Sequence, residues 1–571
     1  MIAKDVQVFP LAANTTALRA RTWQRLKFEI EYGRQRGTTA NCFLIEGDRR
    51  ALIDVPGESF TDIFLESLAA RVDLSCLDYV ILGHINPNRG VTLKALLALA
   101  PQLTVVCSNP AALTLTKICE DLPQHLRIIK GEERLNLGQG HDLEFVPTPN
   151  PRFPDLLCTY DPRTAILYTD KLFAAHVCGH QVLDEGWTVY AEDRRYYFDC
   201  LLATAAKQVT AALEKLNSKP AQIYAPGHGP LVRYGLQELK LAYTHWLAQQ
   251  DKSDLRVALI YASAYGNTAT LAQAIALGIT KTGVAVDAIN AEVASPEDIK
   301  NAILGAAGFI FGSPTLGGHA PTPIQTALGI TLAHGNSNQL CGVFGSFGWS
   351  GEAIDFLAGK FRDGGYRFGF EPLRVKFAPT ALILKTCEEL GTDFAQTLKK
   401  AKQARTPRGA VQDSQSARTE QALGRLVGSL CIVTTQKDDV KGAMLASWVS
   451  QATFTPPGLT LAVAKERAIE SLLYPGEVFI LNILAEGQHQ ALMKHFLRPF
   501  QPGEDRFDGI DTQPGTNGAP VLQNCLAYIE CQVQNRLECG DHWVLYAVAQ
   551  RGQVMREGVT AIHHRKSGSH Y

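Results

Sequence analysis

The residues best suited to holding an anion lie at Ser263-Ala264-Tyr265-Gly266-Asn267-Thr268. This turn follows an apolar run at residues 255–261 (LRVALIY) and precedes a helical pattern, TLAQAIALGITKTG. Hydroxyls and free backbone N–H groups at a helix start point at an anion, and the helix dipole favours it. Gly266 admits backbone angles that other residues resist. One such turn alone is commonly just a helix cap, but two further apolar runs end in comparable loops. Residues 307–311 lead into Gly312-Ser313-Pro314-Thr315-Leu316-Gly317-Gly318, and residues 341–344 into Gly345-Ser346-Phe347-Gly348-Trp349-Ser350-Gly351. Three such loops would meet outside the carboxyl ends of a parallel sheet, where open α/β folds bind ligands. Tyr265, Phe347 and Trp349 could flank a flat ring there. The glycine fingerprint of nicotinamide-binding folds is absent at the first turn.

The elements that must position these loops belong to a long chain. At roughly 100–200 residues per domain, 571 residues suggest three or four domains. Hydrophobic residues at 46% and charged ones at 19% fit sizeable globular cores. A net charge of −1 provides no global field for nucleic acid or an acidic membrane surface. The N-terminal stretch lacks a signal-peptide apolar core. The longest apolar stretch, residues 95–106, contains Pro101 and falls short of the roughly 20 residues a membrane span requires. Thirteen cysteines without a CxxC pair read as reduced thiols, so a cytoplasmic location is expected. The segment KQARTPRGAVQDSQSAR is polar and free of aromatics, which marks a linker at 403–418. A second boundary falls at DKSD. The expected domains are 1–250, 254–402 and 419–571.

The middle block resembles flavodoxins over roughly residues 255–400, on its SxxGNT pattern and the two later loops. The resemblance implies a doubly wound sheet and tight non-covalent FMN. The expected contacts are Ser263, Tyr265, Gly266, Asn267, Thr268, Ser313, Pro314, Thr315, Leu316, Gly317, Ser346, Phe347, Gly348, Trp349 and Gly351. The last block carries Ala446-Ser447-Trp448-Val449-Ser450, a Thr455-Pro456-Pro457 turn, Gly540-Asp541-His542 and a C-terminal Ala561-Ile562-His563-His564-Arg565. It resembles the flavin reductase-like split β-barrel, which implies a second flavin, FMN or FAD, reduced by NAD(P)H. Ser447, Thr453 and Asn482 are the candidate flavin donors, and His542 is either a site residue or a strand histidine.

The first block reads Gly37-Thr38-Thr39-Ala40-Asn41-Cys42, Ala51-Leu52-Ile53-Asp54, Tyr79-Val80-Ile81-Leu82-Gly83-His84 and Ala225-Pro226-Gly227-His228-Gly229-Pro230. These segments look like the metallo-β-lactamase αββα sandwich. Their order before a flavodoxin-like block resembles the flavodiiron proteins, in the three-domain form of oxygenic photosynthetic organisms. That family's ligand loop reads His-x-Glu-x-Asp-His. Here it reads His84-Ile85-Asn86-Pro87-Asn88-Arg89, so only His84 matches. By the same comparison Arg152 stands for the next histidine and Lys171 for the bridging aspartate, unless a one-residue slip puts Asp170 there; His228 is retained. Di-iron needs carboxylates to balance its charge and imidazoles to donate lone pairs. Protonated Arg and Lys can donate none, and they repel a cation. The expectation is therefore no metal here.

The family reading implies an oxidoreductase subunit of the NAD(P)H:oxygen type. Electrons would pass from NAD(P)H, or a reduced carrier protein, through flavin toward reduction of O2 to water. The expected place of that reduction is the iron site of an iron-competent paralogue in a head-to-tail hetero-oligomer; the alternative assembly is a homodimer. The alternatives are a self-sufficient iron-free diflavin oxidoreductase and a regulatory subunit without catalysis.

Overall fold

The computed structural model describes residues 4–24, 36–118, 125–251, 253–405 and 414–565. The first region is built on two sheets. Seven strands follow one another in chain order from Lys4–Ala12 to His125–Ile129. The second sheet has five, in the order Ile223–Pro226, Ile166–Asp170, Leu157–Asp161, His141–Pro147, Arg134–Gly138. Strand alternation assigns the faces. In Thr38–Glu46 and Arg50–Ile53, Phe43, Ile45, Ala51 and Ile53 join the core shared with Phe145, Leu157, Ile166, Tyr168 and Ala225 of the other sheet. The intervening Cys42, Leu44 and Leu52 face Phe64, Leu68, Leu93, Leu96 and Leu115 of the covering helices. This is the expected sandwich, and it brings the ends of Arg50–Ile53, Tyr79–Ile81, Ile166–Asp170 and Ile223–Pro226 to one edge.

The middle region is parallel. Arg256–Tyr261 pairs with Ala285–Asn290 on one side and Gly308–Pro314 on the other. Leu340–Phe347 pairs with Arg367–Phe368 and Leu373–Lys376. The main strands are buried along nearly their whole length, as uninterrupted apolar runs require when both faces are covered. Helices Asn267–Thr280 and Ala381–Arg405 touch backbone to backbone. A Cβ on Gly278 would lie 1.9 Å from the Glu388 carbonyl oxygen, and one on Gly391 2.1 Å from that of Ile275.

The last region is an antiparallel seven-stranded sheet in the order Val440–Ala446, Cys431–Lys437, Val478–Ile483, Ala527–Cys539, His542–Val554, Pro457–Ala464, Val449–Phe454. It encloses Val433, Met444, Leu461, Phe479, Leu481, Val533 and Leu545. A buried ionic cluster ties this region to helix Ala381–Arg405. Glu388 is fully buried and pairs with Lys281 and, at 2.9 Å, with Lys385. Lys385 Nζ donates to Ser471 Oγ at 2.6 Å, and that hydroxyl donates to Glu388 at 3.0 Å. Burial opposes ionisation of Glu388, yet the two lysines hold its carboxyl down at about 2.

The segment read as a linker is helical at both ends, to Arg405 and again from Ser414, which suits its Ala, Lys, Gln and Arg content. Its centre, residues 406–413, lies outside the described residues. Among the described residues no helix is long and apolar enough to cross a membrane.

Candidate functional site

The three loops of the middle region form a linked cradle. Ser263 Oγ accepts from the Ala269 N–H at 3.1 Å, closing the turn through Gly266, whose φ is +86°. Ser263 thus satisfies one N–H of the first turn of helix Asn267–Thr280, and the space beside Gly266 is open. Thr268 Oγ1 lies 2.8 Å from Ser346 Oγ, and the Thr315 N–H donates to Ser346 O at 3.1 Å. Thr315 Oγ1 is buried without a hydrogen-bond partner, an orphan that an added oxygen would satisfy. Tyr265 and Trp349 are 88% and 97% exposed around the cradle. Leu316 and Gly317 belong to a tight loop bridged between Leu316 and His319. Ser313 and Pro314 are buried at a strand end, where the Ser313 hydroxyl donates to the Pro314 carbonyl at 2.8 Å. Phe347 is half-buried. Its ring lies 3.4 Å from where a Gly351 Cβ would be, tucked under the start of the next helix.

The edge of the first region holds a compact set of opposite charges. Arg89 forms a two-pronged pair with Asp170, Nη1 to Oδ2 at 2.9 Å and Nη2 to Oδ1 at 3.0 Å. The same guanidinium donates to the His84 carbonyl at 3.0 Å and to Asp54 Oδ1 at 3.4 Å. Lys171 Nζ lies 3.5 Å from Asp170 and 3.3 Å from His228 Nε2. His228 Nδ1 meets the Thr39 carbonyl at 2.6 Å. A carbonyl can only accept, so Nδ1 carries the proton and Nε2 receives the lysine. His84 Nδ1 pairs with Asp155 at 2.8 Å, and Asp155 also accepts from the Ile85 N–H at 2.9 Å. Burial and the nearby Asp170 push Asp54 up to about 7. Burial also works against ionised Asp170, but Arg89 and Lys171 hold it well below the usual carboxylate range.

The structure brings Arg89, Lys171, His84 and His228 together here, and Asp170, the slip alternative to Lys171, is buried beside them. Sequence reasoning missed Asp54 and Asp155, whose only signal was an acid closing an apolar strand and one after Phe-Pro. Asn86 instead caps helix Pro87–Leu99, accepting from the Arg89 N–H at 2.9 Å. The Asn88 amide packs where a Gly57 side chain would stand. Arg152 is half-buried, with its guanidinium 5.8 Å from the Phe153 ring.

In the last region the expected donors do not converge. Asn482 is fully buried. Its amide donates to Ile432 O and Thr434 Oγ1, both at 3.1 Å, and accepts from the Leu522 N–H at 2.8 Å. Both N–H donors are engaged, so Asn482 knots three strands and has none left for a flavin. Thr453 Oγ1 donates to Pro456 O at 2.7 Å and meets Tyr546 OH at 3.1 Å. Ser447 precedes strand Val449–Phe454, and Thr453 lies near that strand's far end. Ser447 is buried, with Oγ 3.3 Å from His563 Nδ1. Nearby, His542 pairs with Asp541 at 2.9 Å and packs on Trp448 at 5.0 Å, and Arg565 lies 4.9 Å from the same indole. In the sequence, Trp448, His563 and Arg565 stand only as parts of the motifs around them, and nothing there pairs them.

Residues 38–229 match a family model described as ODP family beta lactamase, 259–391 one for flavodoxin and 423–568 one for a flavin reductase like domain. The chain is 68% identical over 573 residues to diflavin flavoprotein A 3 of Synechocystis sp., covering 100% of this chain and 96% of that protein. It is 61% identical over 569 residues to diflavin flavoprotein A 6 of Nostoc sp., covering 100% and 99%. This chain is a three-domain flavodiiron protein. Among solved structures, the metal-soaked Flv1 flavodiiron core from Synechocystis sp. is 68% identical, with a TM-score of 0.69, covering 70% of this chain and all of that one.

As a flavodiiron protein the chain is a flavin-based oxidoreductase carrying flavin domains. The cradle fits such a cofactor: an open glycine turn and an orphaned hydroxyl beside exposed aromatics. The edge of the first region does not fit the di-iron centre that the family name implies. Asp170 is engaged by a guanidinium on both oxygens, and the His228 nitrogen that would face a metal faces an ammonium.

Proposed function

We propose that this chain is an electron-feeding subunit. It takes electrons from NAD(P)H, or from a reduced carrier protein, at the last region and delivers them through FMN at the cradle. The reaction served is the reduction of O2 to water at the iron site of a partner subunit, an iron-competent paralogue of this chain. FMN bound at the cradle supplies a two-electron acceptor that can release electrons singly. The chain's own residues hold it. The Ser263–Thr268 turn receives the phosphate, Thr268 and Ser346 lock two loops at fixed spacing, and Tyr265 and Trp349 cover the ring. The observation that carries the reading is the two-pronged Arg89–Asp170 pair, which satisfies with a fixed cation the charge that a metal would otherwise balance.

The deciding measurement is iron and flavin content of the full chain after growth in iron-replete medium. Bound FMN with near-zero iron is expected. Close to two irons per chain would overturn the reading. Peroxide formation during O2 uptake by the isolated, iron-free chain would favour the self-sufficient diflavin oxidoreductase instead.

A further inference from the structure

Phe377 breaks two ordinary rules. Its φ is +60°, a left-handed conformation that bulky L-residues rarely adopt and that clusters at functional sites. Its side chain is 62% exposed, although a phenyl ring gains from burial. Its position in the fold is tightly defined. Strand Leu373–Lys376 runs parallel to Leu340–Phe347 with Lys376 opposite Phe347. The next N–H, that of Phe377, donates to Phe347 O at 2.8 Å and ties its backbone to the third cradle loop. The ring then reaches across Gly348, where a Cβ would lie 3.6 Å from its Cε1. Tyr265, Leu316 and Trp349, on the same three loops, are also exposed apolar side chains.

We propose that Phe377 is a ring contact for the flavin of the middle region, its left-handed backbone aiming the phenyl group past Gly348 at the apolar edge of the isoalloxazine. The inference rests on the flavin reading of the cradle given above. A phenyl group offers no hydrogen bond, so its contribution goes to the ring and not to the phosphate. It follows that FMN and riboflavin should lose the same factor when it is removed.

The test uses the full-length chain stripped of flavin, titrated with FMN and separately with riboflavin, alongside thermal unfolding of the same apoprotein. Phe377→Gly removes the ring and suits the left-handed backbone; Phe377→Tyr keeps the ring. Phe377→Gly should melt no lower than the parent and bind both flavins about tenfold more weakly, whereas Phe377→Tyr should bind within about twofold of the parent. Unchanged affinity in Phe377→Gly, with or without a lower melting temperature, would overturn the proposal, as would a loss confined to FMN. If the parent itself bound neither flavin, the reading of the cradle would fall first.

Discussion

Exchanging Arg89 for methionine keeps the bulk of the side chain and removes its charge. In the folded chain the guanidinium contacts Asp170 at 2.9 and 3.0 Å and Asp54 at 3.4 Å, and all three side chains are buried. Arg89→Met leaves Asp54 and Asp170 to share Lys171, which lies 3.5 Å from Asp170. Breaking a buried pair by removing one partner destabilises by roughly 3–5 kcal/mol, and the retained lysine places this case near ~3. The sign of the pH dependence follows from the two carboxyls. Asp170 is depressed, so its contribution is present above the ordinary carboxylate pKa and lost as pH falls through its lowered value. Asp54 is raised to about 7, so the stability linked to its proton is present at acid pH and lost as pH rises toward neutrality. Without Arg89 both carboxyls retain protons to higher pH. The deficit of Arg89→Met should therefore be largest near pH 8 and shrink near pH 5. Hydrogen exchange of the full chain, read by mass spectrometry in peptides spanning residues 79–99 and 166–172, would give the opening free energies. Arg89→Met/Asp170→Asn should recover most of the loss, because a neutral pair leaves less charge uncompensated. A single variant as stable as the parent near pH 8, or a double variant no better than the single, would refute this account.

Gly266→Val places a β-branched residue at φ +86° in the phosphate turn. The left-handed penalty of roughly 1–2 kcal/mol should appear as an approximately tenfold or greater loss of FMN affinity in a flavin titration. Gly278→Ala would put a methyl group 1.9 Å from the Glu388 carbonyl oxygen and force the two helices apart. A loss of about 1–3 kcal/mol is expected, read as a lower thermal midpoint of the middle region. Glu388→Gln leaves Lys281 and Lys385 buried around a neutral amide, at a cost of roughly 3–5 kcal/mol. Because the Glu388 pKa is depressed to about 2, the parent's contribution is present above the ordinary carboxylate value and fades as pH falls through about 2. Limited proteolysis at neutral pH should release the last region faster from the variant than from the parent.

The parts of the molecule that repeat locally were legible in the sequence. The apolar runs at residues 43–45 and 51–53 mark buried strands, and the loop turns at Gly266 and Gly317 announce themselves by composition, whereas which of those side chains faces the sandwich core and which the helices is set by the fold. Side chains whose meaning depends on distant partners were not legible. Asp54 and Asp155 meet residues 35 and 71 positions away, and Glu388 finds a lysine 107 positions back. No period or spacing encodes such pairings. Asn482 misled for a related reason: a polar residue on an apolar strand can serve a ligand or staple neighbouring backbones, and only the positions of Ile432, Thr434 and Leu522 decide between them.

The charge set around Arg89 also bears on substitution. With it in place, a metal-binding loop cannot be built by single substitutions without passing through damaged intermediates. Histidine at position 89 alone would uncover Asp54 and Asp170, and aspartate at 171 alone would add a third acid to the same buried group. Each such reversal is unfavourable until the others are in place. The charge set thus works as a ratchet, in which each member is held by the presence of the others.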